Sequence, residues 1–144
     1  MRRAIPVLLI ALLIPAGYYI ASRGNDGTRN LPEGGGVVLG LDKTTYSPED
    51  TMTLTISNGA NVSVTTGYAF KLYRLEGGEW KEVPLELAFI EMAVTIEPGR
   101  SWEQKIDLSK LHLEPGRYRI TKTVVLEYEK AVSKELGVEF EVAT

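Results

Sequence analysis

Residues 113–124 read LEPGRYRITKTV. Pro115-Gly116 marks a tight turn, because proline presets one backbone angle and glycine tolerates the next. Beyond it Tyr118, Ile120 and Val124 share one parity, the spacing of a β-strand with one face on a core and the other in water. Tyr118 comes early in that strand, directly after the turn. This is the placement of a tyrosine corner, whose hydroxyl reaches back to upstream backbone, and it gives Tyr118 a structural role.

The same period of two recurs on either side. Val37, Leu39 and Leu41 alternate, as do Met52, Leu54 and Ile56, then Tyr68, Phe70 and Leu72. Trp102 with Ile106, and Leu136, Val138, Phe140 and Val142, continue the pattern to the end of the chain. Turn signals separate these runs: Ser47-Pro48, Ser57-Asn58-Gly59, Gly77-Gly78 and Pro98-Gly99. Gly77-Gly78 reads as the tip of a hairpin, and Asp107 to Leu113 as one helical turn pinned by Leu108 and Leu111. Seven or eight short strands at this spacing predict an all-β fold over residues 37–144, an antiparallel β-sandwich of immunoglobulin type.

The rest of the chain divides in two. Residues 4–22, AIPVLLIALLIPAGYYIAS, carry no charge and follow Arg2 and Arg3. As a helix they would rise about 28 Å at ~1.5 Å per residue, near the ~30 Å of a bilayer core. The basic flank predicts that the remainder is exported, and Tyr18 and Tyr19 would lie at the outer interface. No pair of small residues marks a good cleavage point, which favours a signal anchor over a signal peptide for residues 1–23. Residues 24–36 are Gly-rich and nearly devoid of apolar side chains, and read as a flexible linker. The expected location is therefore the cell membrane, single-pass, with the C-terminal domain outside the cytoplasm, or secretion if residues 1–23 are removed.

Composition narrows the function. Of 144 residues, 44% are hydrophobic, and a net charge of -3 argues against nucleic acid as a partner. The domain at 37–144 is more acidic than the chain, with 17 acidic and 12 basic side chains. Zero cysteines and one histidine remove thiolate zinc, a disulfide framework and multi-histidine metal sites. No G-x-S-x-G elbow, phosphate loop or H-E-x-x-H occurs, so no enzyme is expected, and no cofactor, catalytic residue or metal ligand.

The run Leu41-Asp42, Tyr46-Ser47-Pro48-Glu49-Asp50 and Leu54 to Asn58, the hairpin Gly78-Glu79-Trp80-Lys81-Glu82-Val83-Pro84, and Pro115-Gly116-Arg117-Tyr118-Arg119-Ile120 together resemble bacterial immunoglobulin-like domains. Such domains occur on exported and membrane-anchored prokaryotic proteins. The resemblance covers most of Asp42 to Val125 and implies a sandwich outside the membrane, without a cofactor or agreed catalytic residues. A looser likeness is to small proteinase inhibitors of the BsuPI type, which share an asparagine-ending strand and a Pro-Gly turn before the late strands.

The remaining candidates are few. His112 reads as a surface turn residue. Asp42 and Asp50 could offer oxygen ligands to calcium, but acidic residues beside turns are ordinarily solvated. Asn61-Val62-Ser63 is a glycosylation sequon in an apparent loop, making Asn61 a possible acceptor. Tyr46, Tyr73, Trp80, Trp102 and Tyr128 are more aromatics than the alternation can bury. Of these Tyr73 and Trp80 are the best candidates to bind a protein or glycan partner. The expected function is a membrane-tethered module with a structural or protein-interaction role. The alternative is an exported proteinase inhibitor, whose loop would be Leu85 to Met92.

Overall fold

The computed structural model describes residues 36–144 and the two-residue strand Tyr19–Ile20. The anchor expected over residues 1–23 and the linker over 24–36 otherwise lie outside the described residues. Tyr19–Ile20 (β1) is extended and pairs antiparallel with Gly40 and Leu41, so the helix expected over 4–22 does not include these two positions. Among the described residues no helix is long and apolar enough to cross a membrane.

Among the described residues eleven strands form two sheets, more than the seven or eight expected. In sheet one β1 is followed by β2 (Val37–Leu41), β4 (Thr51–Asn58) and β9 (Ser101–Asp107), all antiparallel. Sheet two centres on β10 (Gly116–Leu126) and β11 (Val132–Val142), paired over their full lengths. On the far side of β11 lies β3 (Thr45–Tyr46), parallel to it. On the far side of β10 two strands share one edge: β6 (Lys71–Glu76) meets its first half and β5 (Val64–Thr66) its end. Beyond them β7 (Glu79–Glu82) pairs with β6, and β8 (Val94–Ile96) with β5. The extra strands are the short ones, two to four residues long, which give a period-two pattern too little room to show.

The apolar parity sets the core. Leu39, Leu41, Leu54 and Ile56 of sheet one face Ile120, Val124, Leu126, Val138 and Phe140 of sheet two, all buried. Tyr118 stacks on Phe140 at 5.6 Å between ring centres, and Tyr46 meets the same ring edge-on at 5.7 Å. Each aromatic side chain buries a large area, and such ring pairs add about 0.5–1.5 kcal/mol beyond it. Asp107 caps a single 3-10 turn at Leu108–Lys110, where a helical turn was expected; Leu108 is buried and Leu111 half-buried. The Gly77-Gly78 tip lies between β6 and β7, with both glycines at positive φ.

The Tyr118 hydroxyl donates to the Glu114 carbonyl at 2.6 Å, the bond that defines a tyrosine corner. Arg74 closes the same corner from β6, donating to the Pro115 carbonyl at 2.5 Å and lying over the Tyr118 ring at 5.9 Å.

One core position is occupied by a cation. Lys122 shares the parity of Tyr118, Ile120 and Val124 and is 1% exposed. Its ammonium donates to Gly67 O at 2.5 Å, Ala69 O at 3.0 Å and Gln104 Oε1 at 2.9 Å. These three acceptors match the three N–H bonds of an ammonium, and no carboxylate is among them. The Trp102 face lies 5.4 Å away, an additional cation–π contact. Gln104 in turn donates to Tyr68 O at 2.8 Å. Lys122 thereby ties β10 to β9 of the other sheet and to the chain between β5 and β6. Residues 67–70 are for this reason a crossover and not the strand start that Tyr68 and Phe70 predicted: two of their carbonyls are turned to the ammonium.

Two outcomes are expected. Burial lowers the Lys122 pKa from 10.5 to about 8. The folded state then releases a proton that the unfolded chain still holds between pH 8 and pH 10.5, so stability should rise with pH across that window. Urea midpoints of the native chain and Lys122→Met should show the native chain gaining by up to about 3 kcal/mol between the ends of the window. A constant difference would refute the burial of a charged amine. Tyr118→Phe should cost about 1–2 kcal/mol in urea unfolding with the m-value unchanged, reflecting one lost buried hydrogen bond.

Candidate functional site

Strand register decides which surface side chains meet. On β10, Tyr118, Ile120 and Lys122 point into the sandwich, so Arg117, Arg119, Thr121 and Thr123 point out. Arg119 pairs with Tyr73 of β6 and Glu139 of β11; Tyr73 pairs with Glu82 of β7, and Leu75 with Trp80. Tyr73, Leu75 and Trp80 therefore share the outer face of sheet two, Tyr73 and Trp80 as diagonal neighbours across the β6–β7 hairpin. Trp80 is 36% exposed and Leu75 37%, while Tyr73 is half-buried. Leu75 belongs to the patch although sequence reading passed over it; its parity with Tyr73 was the available signal.

The other half of this face is charged. Arg117 bonds Glu139 at 3.1 Å and approaches Glu141 at 3.9 Å, and Arg119 approaches Glu139 at 3.8 Å. Arg119 lies flat across β11, where a Cβ on Gly137 would stand 2.6 Å from its Nη2 atom. Glycine at 137 is what lets the guanidinium lie down and flatten the face. These exposed pairs add little stability but fix the charge pattern.

Where β5 and β6 part from β10, the outer face opens into a groove of about 410 Å³. Thr121 and Thr123 line it with Lys71, Glu135, Phe70 and Phe89. Phe89 meets Phe70 edge-on at 5.1 Å. The Thr66 hydroxyl donates to Thr123 O at 2.8 Å, satisfying a carbonyl that neither strand pairs. The lining of the groove includes no histidine, serine or cysteine.

The other candidates are scattered. Tyr46 is 1% exposed and Trp102 half-buried, so neither belongs to a surface patch; Tyr128 is 42% exposed, on the turn after β10. The Tyr46 hydroxyl donates to Asp42 Oδ1 at 2.6 Å, and Thr53 N–H donates to the same oxygen at 3.0 Å. Asp50 accepts from Ser47 N–H at 2.8 Å and meets Lys43 at 3.5 Å, bonds that hold its carboxyl below its usual pKa. Asp42 thus shapes the turn where the chain passes from β2 in sheet one to β3 in sheet two, and Asp50 the turn that returns it from β3 to β4. No group of three or more His, Asp or Glu is placed to hold a metal among the described residues. His112 is exposed, at a φ of 54° after the 3-10 turn. Asn61 is exposed in the β4–β5 loop, while Asn58 beneath it is buried and donates to Val62 O and Ile96 O, both at 2.9 Å.

Comparison with known proteins adds to this geometry. No curated protein matches the chain. Among solved structures, the X-ray structure of Northeast Structural Genomics Consortium target SoR45 is 17% identical, with 75% of this chain and 74% of that one covered at a TM-score of 0.42. A family model described as a bacterial Ig-like domain matches residues 33–141, which takes in the whole sandwich from β2 to β11 apart from its last residues. The chain belongs to the bacterial Ig-like domain family.

Proposed function

We propose that this protein is a membrane-tethered, extracytoplasmic Ig-like module with a structural or protein-interaction role and no catalysis. The observation that carries the reading is the gathering of Tyr73, Leu75 and Trp80 on one outer sheet face, beside a flat, charge-patterned strip. Large aromatics on a rigid sheet supply contact area at low entropic cost, the usual make-up of a binding surface. The tether rests on the uncharged run that begins at Ala4 behind two arginines. The partner is a protein or glycan outside the cytoplasm.

A second reading is supported by a specific observation. The loop Leu85 to Met92, the candidate for an inhibitor, is unpaired, with exposed residues alternating with half-buried Leu85, Leu87 and Phe89, which hold it from beneath. A peptidase inhibitor needs a loop of this kind.

Three measurements test these readings. Full-length chain should sediment with membranes and be digested by protease added outside intact cells, whereas chain lacking residues 1–23 should be soluble. Full-length chain found soluble in the cytosol refutes the tether. Tyr73→Ala with Trp80→Ala should reduce proximity-labelled partners at least tenfold while shifting stability by no more than about 0.5 kcal/mol per site. Unchanged labelling would remove this face from the proposal. Inhibition of a peptidase that is lost on cleavage within Leu85 to Met92 would favour the second reading.

A further inference from the structure

One side of sheet two ends at β3; the other ends without a neighbouring strand. There β7 pairs with β6 alone and β8 with β5 alone, and residues 83–93 run between them. Their sequence, VPLELAFIEMA, has the period of a strand. Val83, Leu85, Leu87 and Phe89 pack on the core, while Pro84, Glu86, Ala88 and Ile90 face solvent. The Val83 N–H donates to Leu72 O at 2.8 Å. Beyond that bond, no backbone hydrogen bond joins residues 84–93 to the described residues. An anchored, extended segment with open peptide groups is a template for strand addition, which soluble proteins ordinarily blunt.

Its side chains indicate what it would accept. Ile90 and Met92, 58% and 56% exposed, are the most exposed large apolar residues among those described. Residues 76–97 carry six glutamates against Lys81, a net charge of -5, which equals the net charge of the whole 37–144 domain. The rest of the domain is balanced, with eleven acids and eleven bases. Glu82, Glu86 and Glu91 form no ion pair with a described residue.

We propose that residues 83–93 are a docking edge for an extended segment of another protein that alternates basic and apolar side chains and adds as a β-strand. Backbone pairing would supply the affinity. Lysine or arginine against Glu86 and Glu91, with apolar contact on Ile90 and Met92, would supply the selectivity. The same carboxylates repel a second copy of this edge, since like charges across a strand pair are unfavourable. The inference rests on the reading of the domain as an interaction module, but on a surface separate from Tyr73 and Trp80.

The test uses full-length chain in detergent micelles with a capped nine-residue peptide of alternating lysine and valine. Controls are the same peptide N-methylated at alternate amides and a glutamate–valine peptide. The lysine–valine peptide should bind and slow amide hydrogen exchange across residues 84–93. Binding should weaken at least tenfold in Glu86→Gln/Glu91→Gln and with the N-methylated peptide, and be unchanged in Tyr73→Ala. Equal binding of the N-methylated peptide, full binding by the double variant, absence of binding, or a dimer that protects 84–93 would each overturn the proposal. Peptide binding retained while Tyr73→Ala/Trp80→Ala leaves partner labelling intact would separate failure of the sheet-face reading from failure of this one.

Discussion

The ammonium of Lys122 is the point on which this sandwich turns. A cation in a core position must satisfy every N–H it carries or forfeit several kcal/mol of hydration. Here the three acceptors come from a β9 side chain in sheet one and from two backbone carbonyls between β5 and β6. Satisfying the charge thus settles three pieces of structure together. It sets the spacing of the sheets at the Trp102 end, the path of residues 67–70, and the fork where β10 exchanges one neighbour for another. Neutral acceptors alone do not offset desolvation, which is why the amine is held at a lowered pKa.

The fork has consequences for the surface. Because β5 and β6 divide the edge of β10, the sheet has a gap on its outer face, and residues 83–93 must span from β7 to β8 to close it. The groove beneath Phe89, the unpaired backbone beyond it and the exposed Ile90 and Met92 all follow from that crossing. An ordinary sheet edge would have ended at β7. This one continues as an apolar, acidic margin.

Much of this was legible in the sequence where one rule acted alone. The Pro115-Gly116 turn and the parity of Tyr118 are local matters, as are the Gly77-Gly78 hairpin and the alternation of Met52, Leu54 and Ile56. The joint placement of Tyr73 and Trp80 needed only hairpin register. Other features depended on a distant partner. Tyr46 was one of five aromatics, too many for the alternation to bury, but its hydroxyl finds Asp42 and so its ring can be buried. Lys122 had core parity in plain view, and its charge argued for solvent until three acceptors came from elsewhere in the chain. Residues 83–93 carry strand periodicity without a strand partner, a state that no local pattern distinguishes from pairing.

The parallel contact of β3 with β11 bears on how the domain would carry load. β3 is near the start of the described fold and β11 at its end, and they run in the same direction. Glu141 N–H donates to Thr44 O at 2.9 Å and Ala143 N–H to Tyr46 O at 2.8 Å across this seam. Tension applied through the two strands draws them past each other, so these bonds are strained side by side and not opened one after another. Tension applied between the two ends of the described fold would meet that shearing geometry, with Tyr46 wedged against Phe140 beneath the seam.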